Sequence, residues 1–281
     1  MPNVPCTKLV NVITAAQEGL RKLYHYQSAR LDYLKDTLIH NRVHFSNPEN
    51  FNDPWDCRPY FDCSIDDPER RKEWGERLGG IFEGLPVHLR MALAARTPGK
   101  WYDHQELLRR SIERLTAEVW HLNCERWRIY CLTSRLDSVL MWSHYADQHK
   151  GICLEFDVTR DPIGRAYKVL YSEVLPAIGP DTLVDSKAMV DSVLLTKARA
   201  WCYEDEYRIL ARDESVDPGF AVTTDKDFLI LPKGALTSVV AGCNADIEAI
   251  HSLAKECAPE LPVKRAVRSA QRYELEVVED S

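Results

Sequence analysis

The sequence predicts an α+β fold with one inserted helical region. Three observations support this prediction: short apolar runs that alternate as strands do, apolar residues at helical spacing between them, and a charged, helix-forming stretch over residues 66–126. No glycine- or serine-rich linker and no internal repeat interrupts the chain. We therefore expect a single α+β domain over residues 1–281, with the helical insertion 66–126 inside it.

The first part of the chain predicts a strand, a helix and a second strand. Residues 23–26 form an aromatic-rich strand, leucines at helical spacing follow it, and residues 43–46 return to strand-like alternation. Residues 47–56 then combine turn formers with the large side chains of Phe51 and Trp55. Large aromatic side chains favour burial, so this segment predicts an ordered loop anchored by its aromatic residues.

The rest of the chain predicts further strands and helices around the same core. Within the insertion, apolar residues spaced by four and three mark an amphipathic helix. The predicted strands after it are 128–134, 151–157, 206–211, 225–231, 238–241 and 273–278. The predicted helices are 138–147, 190–198 and 245–257.

The composition predicts a soluble protein of the cytoplasm. A chain of 281 residues that is 45% hydrophobic can bury a sizeable core. Its nine cysteines are odd in number and several lie in apolar runs, which is typical of reduced, buried thiols. No stretch approaches the roughly 20 apolar residues that cross a bilayer, and the first residues lack a secretory signal pattern. We expect a cytoplasmic location and no membrane partner.

The charge pattern argues against broad adhesion to nucleic acid. The net charge is −7 and the pI is near 5.8. One local basic cluster exists, and we interpret it as a solvated face balanced by the acidic residues that follow it. Its members are Lys264, Arg265, Arg268 and Arg272. No C-x-x-C pair occurs, so we expect no structural metal site.

Two glutamates near residue 205 are the strongest candidates for chemistry. If Glu204 and Glu206 lie on one strand, their side chains share a face and Asp205 points to the other side. Two like charges placed together raise each other's pKa unless a cation separates them, which is a common device of active sites. Arg208 lies on the same face and supplies such a cation. Solvated ion pairs on an exposed edge are the open alternative.

Several segments resemble a bacterial family named domain of unknown function 2971. The resemblance rests on FNDP at residues 51–54, WSHYAD at 142–147 and EYR at 206–208, in that order. It extends from Leu23 to about Gly242, and the family name implies no reaction. The insertion 66–126 is the least familiar part.

The chain is also similar, more distantly, to the ADP-ribosyltransferase superfamily. That superfamily places a His or Arg on an early strand, a hydroxyl residue on the next, and a Glu on a later strand. The order here is His25, Ser46 and Glu206. The resemblance implies a mixed, mainly antiparallel sheet and NAD as the substrate. It implies catalytic roles for Glu206, Glu204 and His25, and NAD contacts from Tyr26, Ser46, Phe51, Asn52 and Asp53.

The physical chemistry of NAD cleavage suits these residue types. Breaking the glycosidic bond of NAD passes through an oxocarbenium-like transition state that a fixed carboxylate stabilises. The chain has neither G-x-G-x-x-G nor a Walker phosphate loop, and the superfamily needs neither. We expect Glu206 to be the residue whose loss removes activity while leaving the fold intact, and Glu204 to position the acceptor, whether protein, nucleic acid or water.

Three functions therefore stay open. The first is an NAD-consuming enzyme, either an ADP-ribosyltransferase or an NAD glycohydrolase, with a role as a toxin or in phage defence. The second is a metal-dependent nuclease or phosphodiesterase with oxygen and imidazole ligands. Its candidate ligands are Asp53, Asp56, His144, Glu155 and Glu206. The third is a non-catalytic binding module lined by some of the seven tryptophans and twelve tyrosines.

Overall fold

The computed structural model describes residues 12–62, 66–83, 105–179, 186–212 and 221–279. Its helices in these residues are α1 Leu31–His40, α2 Pro68–Glu83, α3 Gln105–Arg126, α4 Val139–Tyr145, α5 Ser186–Val193 and α6 Ile247–Cys257. None of the helices in the described ranges is long and apolar enough to cross a membrane.

Short strands make up most of the remaining regular structure. They are β1 Lys22–Gln27, β2 Arg42–His44, β3 Tyr60–Phe61, β4 Arg128–Thr133, β5 Ile152–Asp157, β6 Tyr167–Lys168, β7 Leu170–Ser172, β8 Ala177–Ile178, β9 Thr196–Ala198, β10 Glu206–Arg212, β11 Val222–Thr223, β12 Phe228–Ile230, β13 Leu236–Ala241, β14 Val263–Arg268 and β15 Leu275–Glu279. Helices beside a large sheet confirm the α+β class.

The chain divides into two compact units. The described residues of Asp53–Glu125 and Val174–Thr196 belong to the first, and those of Asn11–Asn52, Arg126–Glu173 and Lys197–Ser281 belong to the second. The first unit therefore holds most of the helical insertion. The second unit holds most of the strands and every candidate residue discussed below except Asp53 and Asp56.

The first unit packs its helices around aromatic side chains. Trp74 of α2 is buried, its Nε1 donates to the carbonyl of Asp62 at 3.0 Å, and its ring meets Phe61 edge-on at 6.0 Å. The guanidinium of Arg58 lies 4.5 Å from the ring centre of Trp120 on α3. The parallel pair β3–β8 joins the two chain segments of this unit.

The predicted helix 190–198 ends early. α5 stops at Val193, and the hydroxyl of Thr196 donates to the carbonyl of Asp191 at 2.9 Å, where it pairs one of the helix's last acceptors. Residues 196–198 form β9 instead. The apolar periodicity continued past the helix because Leu194 and Leu195 are buried in the turn that follows it, whereas Ala198 lies in β9 and is exposed.

A mixed sheet forms the framework of the second unit. Eight of its nine strands follow the order β11–β10–β4–β1–β5–β13–β14–β15, and β6 also pairs with β10. β10–β11 and β13–β14 are parallel, and the other pairs in this sheet are antiparallel. The expected mixed, mainly antiparallel sheet is therefore present.

Both faces of this sheet are covered by helices. Alternate side chains of a strand point to opposite faces, so each strand contributes to two clusters. We call the face that packs on Leu34 of α1 and Ile250 of α6 the α1/α6 face, and the face that packs on Trp142 of α4 the α4 face. The α1/α6 face carries Leu23, Tyr130, Leu132, Leu154, Phe156, Tyr207 and Ile209. The α4 face carries Tyr26, Cys153, Val240 and Ala266.

β14 is a strand that the sequence did not predict. Val263–Arg268 runs parallel to β13 and antiparallel to β15. Its basic residues, among them Lys264 and Arg265, are typical of a solvated segment and masked the alternation around Ala266. Only Ala266 and Val263 of this strand are buried.

The aromatic anchoring of the 47–56 loop is only partly correct. Phe51 is partly buried, and its ring centre lies 5.4 Å from the guanidinium of Arg208. Trp55, however, is 60% exposed, so it does not anchor the loop. The local turn is made instead by Asp53, whose Oδ1 accepts a hydrogen bond from the Trp55 amide at 2.9 Å.

Candidate active site

The two candidate glutamates do not lie on one strand. Glu204 is the last residue of a 3₁₀ helix, Arg199–Glu204, and Glu206 is the first residue of β10. Asp205 between them has a left-handed backbone with φ of 41°, a conformation that Asp tolerates better than most residues. The two carboxylates therefore converge because of a left-handed turn at a helix end, and strand alternation is not the cause.

A buried lysine joins the two carboxylates. Lys197 of β9 donates from Nζ to Oε2 of Glu204 at 2.6 Å and to Oε2 of Glu206 at 3.2 Å. All three side chains are buried. A lysine in such a place stays charged only when anions compensate for its lost hydration, and here two do so.

Arg208 completes the arrangement from the same strand as Glu206. Its Nε and Nη2 donate to the two oxygens of Glu206 at 2.7 and 3.0 Å, which is the strong bidentate geometry of an arginine–carboxylate pair. Arg208 is 0% exposed and its guanidinium lies 5.4 Å from the ring centre of Phe51. We call Lys197, Glu204, Glu206 and Arg208 the Glu204–Glu206 cluster.

The cluster moves the pKa values of its two acids in opposite directions. Burial raises the pKa of Glu204, the charge of Glu206 raises it further, and Lys197 offsets only part of this. Burial also acts to raise the pKa of Glu206, but the cations Arg208 and Lys197 outweigh it and lower the pKa to about 2. Glu206 is therefore a permanent anion, and Glu204 is the member that holds a proton more readily.

Glu204 is the member of the cluster that connects to the surface. Its Oε1 accepts a hydrogen bond from the hydroxyl of Tyr145 on α4 at 2.5 Å, and that hydroxyl accepts one from Asn52 at 3.3 Å. Asn52 is exposed. Beside it, the hydroxyl of Tyr203 and Nδ1 of the exposed His144 are 2.9 Å apart. Burial and the Glu204 charge raise the pKa of Tyr145, so its hydroxyl stays protonated.

Glu206 is more deeply held than the sequence suggested. It is 4% exposed, its amide donates to the Tyr171 hydroxyl at 2.9 Å, and both of its oxygens are engaged by cations. The expectation that its replacement would leave the fold unaffected assumed a partly solvated carboxylate. Its burial overturns that assumption, because removing one partner of a buried ion pair leaves the other charge uncompensated.

His25 does not join this cluster. Its ring stacks on Tyr130 of the α1/α6 face at 4.4 Å, and its Nδ1 lies 2.7 Å from the carbonyl of Cys131. Tyr207 lies on that same face, so Glu206, the neighbour of Tyr207 on β10, projects to the opposite one. Burial lowers the pKa of His25 to about 4, which keeps the ring neutral. Its ring is partly buried and packs on the α1/α6 face.

Tyr26 and Ser46 are held by contacts with residues outside the cluster. Tyr26 is buried against Trp142 with ring centres 5.0 Å apart, and its hydroxyl donates to a backbone carbonyl. Ser46 pairs through its backbone with Ile129, four residues along β4 from the residue opposite Glu206. Four residues of strand span about 13 Å, so Ser46 lies far from Glu206. Tyr26 packs in the same cluster as Tyr145 and Tyr203, on the α4 face.

Of the loop residues 51–53, two lie beside the cluster and one belongs to the first unit. Phe51 lies against Arg208 and Asn52 contacts Tyr145, so both border the cluster. Asp53 belongs to the first unit and is 4% exposed, and its carboxylate makes the local turn described above. Two of the three loop residues that the resemblance implied are therefore at the candidate site.

The metal-site alternative meets a geometric obstacle. Glu155 and Glu206 lie in one row across the sheet, with Tyr24 and Thr133 between them. Three strand spacings separate them by about 14 Å, which is too far for one ion to bind both. Among the residues described above, no group of three or more His, Cys, Asp or Glu side chains is placed to hold a metal ion.

Two members of the site were missed at the sequence level. Lys197 follows the apolar run 193–195 after a single threonine, and a charge so close to buried residues signals a buried partner. Tyr145 belongs to the WSHYAD segment, which stood out in the sequence for its family resemblance. Its hydroxyl reaches Glu204 because α4 ends beside the 3₁₀ helix.

Comparisons with known proteins give one match. Residues 141–209 match the model of a family described as protein of unknown function (DUF2971). This span is about a quarter of the chain, and it contains Tyr145 and all four members of the Glu204–Glu206 cluster. Neither a curated protein nor a solved structure matches the chain.

Proposed function

We propose that the protein is an NAD-consuming enzyme, an ADP-ribosyltransferase or an NAD glycohydrolase, that works at Glu204. One observation carries the proposal: two buried carboxylates share Lys197, and their pKa values are displaced in opposite directions. Pairs of acids with separated pKa values are typical of sites that need one fixed charge and one group that exchanges protons.

Cleavage of NAD needs both a fixed negative charge and a group that receives a proton. The bond between ribose C1′ and the nicotinamide nitrogen breaks, and its electron pair leaves with the ring, which becomes neutral. The ribose is left as an oxocarbenium ion, which anionic groups stabilise. An acceptor hydroxyl or water then forms a new bond to C1′ and releases a proton. Glu204, with its raised pKa, is suited to receive that proton.

Glu206 and its cations act through Glu204 in this proposal. Lys197 contacts both glutamates, so the charge of Glu206 sets the proton affinity of Glu204. Tyr145 fixes the orientation of the Glu204 carboxylate, and the half-buried Tyr203 beside it offers a ring on which nicotinamide can stack. We therefore treat Glu204 as the catalytic residue, and Glu206, Lys197 and Arg208 as positioning residues.

The test is release of nicotinamide from NAD by the purified protein, with and without cell extract as a source of acceptors. Glu204→Gln keeps the size of the side chain and removes its proton exchange, so we expect at least about a hundredfold loss of release. The matched control is Glu155→Gln, which changes a buried carboxylate on β5 and should retain the activity. Melting temperatures of both variants establish that each is folded.

A second measurement separates catalysis from positioning. The pH profile of wild-type activity should show a group with a raised pKa, and Tyr145→Phe should shift that profile because it removes the hydroxyl that donates to Glu204. If the folded wild type neither binds NAD nor releases nicotinamide, the enzyme proposal fails and the binding-module alternative replaces it. Full activity in Glu204→Gln would contradict the role of Glu204.

A further inference from the structure

A cavity of about 680 Å³ lies in the second unit, at a place that none of the Glu204–Glu206 cluster residues line. Its walls are the β14–β15 connection with Arg268, Arg272 and Tyr273, the residue His149 after α4, and Asn244 after β13. Small-molecule sites usually measure about 300 to 1,000 Å³, so the cavity has the size of one.

The charge of this wall departs from that of the chain as a whole. The chain carries −7, yet two arginines and one glutamate line the cavity. Arg272 Nη1 lies 3.6 Å from Oε1 of Glu274, and Arg268 makes no ion pair within the described ranges. Arg268 and Arg272 belong to the basic cluster noted in the sequence. Lys264 of that cluster forms an ion pair with Glu155, whereas the two arginines line this cavity. The wall therefore favours an anion.

The short segment that leads into this wall and includes His149 has a strained backbone conformation. Asp147, Gln148 and His149 all have positive φ, although none of them is a glycine. Backbone strain of this kind is common at ligand sites. The backbone of this segment passes close to Gly242, where an added Cβ would lie 2.2 Å from the His149 carbonyl oxygen. Only a glycine fits at that position.

His149 brings an unpaired polar atom to the same place. Its side chain lines the cavity, and its Nδ1 is buried without a hydrogen-bond partner among the residues that the structure describes. Buried polar atoms in folded proteins are almost always paired. This nitrogen carries almost no solvent-accessible surface, so a ligand in the cavity can pair with it only after the His149 ring turns towards the ligand.

We propose that this cavity is a binding site for a mononucleotide. Arg268 and Arg272 suit its phosphate, because guanidinium groups match phosphate oxygens in geometry and charge. Tyr273 is fully exposed at the rim and offers a ring for the base, while the Asn244 amide can both donate to and accept from a base edge. The cavity is far larger than a lone phosphate needs, so a bare anion does not account for it. The proposal does not depend on the chemistry assigned to Glu204.

The proposal is tested by titration calorimetry of the full chain with AMP, adenosine and inorganic phosphate at one salt concentration. We expect AMP to bind more tightly than either fragment. Arg268→Gln should weaken AMP binding by about tenfold or more, because it removes a charged hydrogen-bond donor. Ala270→Trp, on an exposed residue of the cavity wall, should block binding by filling the cavity.

Control variants make the result specific. Arg160→Gln removes another arginine, one that does not line the cavity, and should leave AMP binding unchanged. A loss of AMP binding in folded Glu204→Gln would place AMP at the Glu204–Glu206 cluster and overturn the proposal. It is equally overturned if AMP does not bind, if phosphate binds as tightly as AMP, or if folded Arg268→Gln and Ala270→Trp bind AMP like the wild type.

Discussion

Glu155 and Glu206 occupy the same row of the same sheet, yet they are neutralised in different ways. Both are buried and both accept hydrogen bonds from two cationic side chains. Glu155 is served by Lys22 and Lys264, whose side chains are 48% and 18% exposed. Glu206 is served by Lys197 and Arg208, which are themselves buried. One carboxylate is linked to solvent through its cations, and the other is not.

The difference shows which of the two clusters carries the larger desolvation penalty. Lysines near the surface keep part of their hydration, so an ion pair with them costs little to form and contributes little. Burying two cations and two anions together carries a desolvation penalty that good geometry only offsets. A fold does not need such a cluster for stability, and this favours a chemical role for the one around Glu206. The predictions below measure the difference, from the largest effect to the smallest.

The largest effect should follow removal of Arg208. Arg208→Met keeps much of the side-chain volume but leaves Glu206 buried with Lys197 as its remaining partner in the cluster. We expect the free energy of unfolding to fall by about 3 to 5 kcal/mol, measured by urea denaturation. In the double variant Arg208→Met/Glu206→Leu, much of that loss should be recovered. A cost below about 1 kcal/mol for the single variant would show that the cluster resembles the one at Glu155.

The next effect is on the pH dependence of stability. Although burial acts to raise the pKa of Glu206, Arg208 and Lys197 lower it to about 2 in the folded state, below the unfolded value near 4.3. Its stabilising contribution is therefore complete above about pH 4.3 and is lost as the pH falls toward 2, on the order of 3 kcal/mol. Urea denaturation of the wild type at several pH values should show this slope.

The same experiment compares the two carboxylates directly. The pKa of Glu155 is also lowered, because Lys22 and Lys264 outweigh the effect of its burial. Glu206→Gln should nevertheless reduce the loss of stability at acid pH more than Glu155→Gln does. An equal reduction in the two variants would mean that exposure of the partner cations does not matter here.

Most of the framework was predictable because it is local. Leucines at helical spacing gave α1, and alternating runs gave β1, β4, β5 and β10 near their observed ends. β14 was missed because its alternation is carried by basic residues, and only its pairing with β13 and β15 makes it a strand. Exposure of Trp55 was missed for a similar reason, since residue type sets a preference for burial and the surroundings decide it.

The site was predictable in its residue types and not in its geometry. Glu204, Glu206 and Arg208 stand out in the sequence, but strand alternation was the wrong reason for their proximity. The two glutamates converge because Asp205 has a left-handed backbone, which the residue type alone does not reveal. The face of the sheet that His25 occupies depends on the register of β1 against β5, which no local pattern fixes. Lys197 belongs to a segment that was interpreted as helix.

A smaller effect is expected at the Glu155 cluster. Lys264→Met removes a partly exposed cation whose Nζ lies 3.3 Å from Glu155 Oε2, while Lys22 and the hydroxyl of Thr237 still contact the carboxylate. We expect a loss of about 1 kcal/mol in the free energy of unfolding. A loss as large as that of Arg208→Met would remove the distinction between the two clusters.

The smallest effect should come from Lys22, although its 2.7 Å contact with Glu155 is the shorter of the two. Its side chain is about half exposed, so water replaces most of what the ion pair provides, and ordering a lysine costs side-chain entropy. We expect Lys22→Met to lower the free energy of unfolding by about 0.5 kcal/mol or less. Salt screens exposed pairs far more than buried ones, so even this difference should vanish near 1 M NaCl, whereas the cost of Arg208→Met should persist. A Lys22 effect that exceeds that of Lys264 and survives in salt would mean that contact distance, and not hydration of the cation, governs these carboxylates.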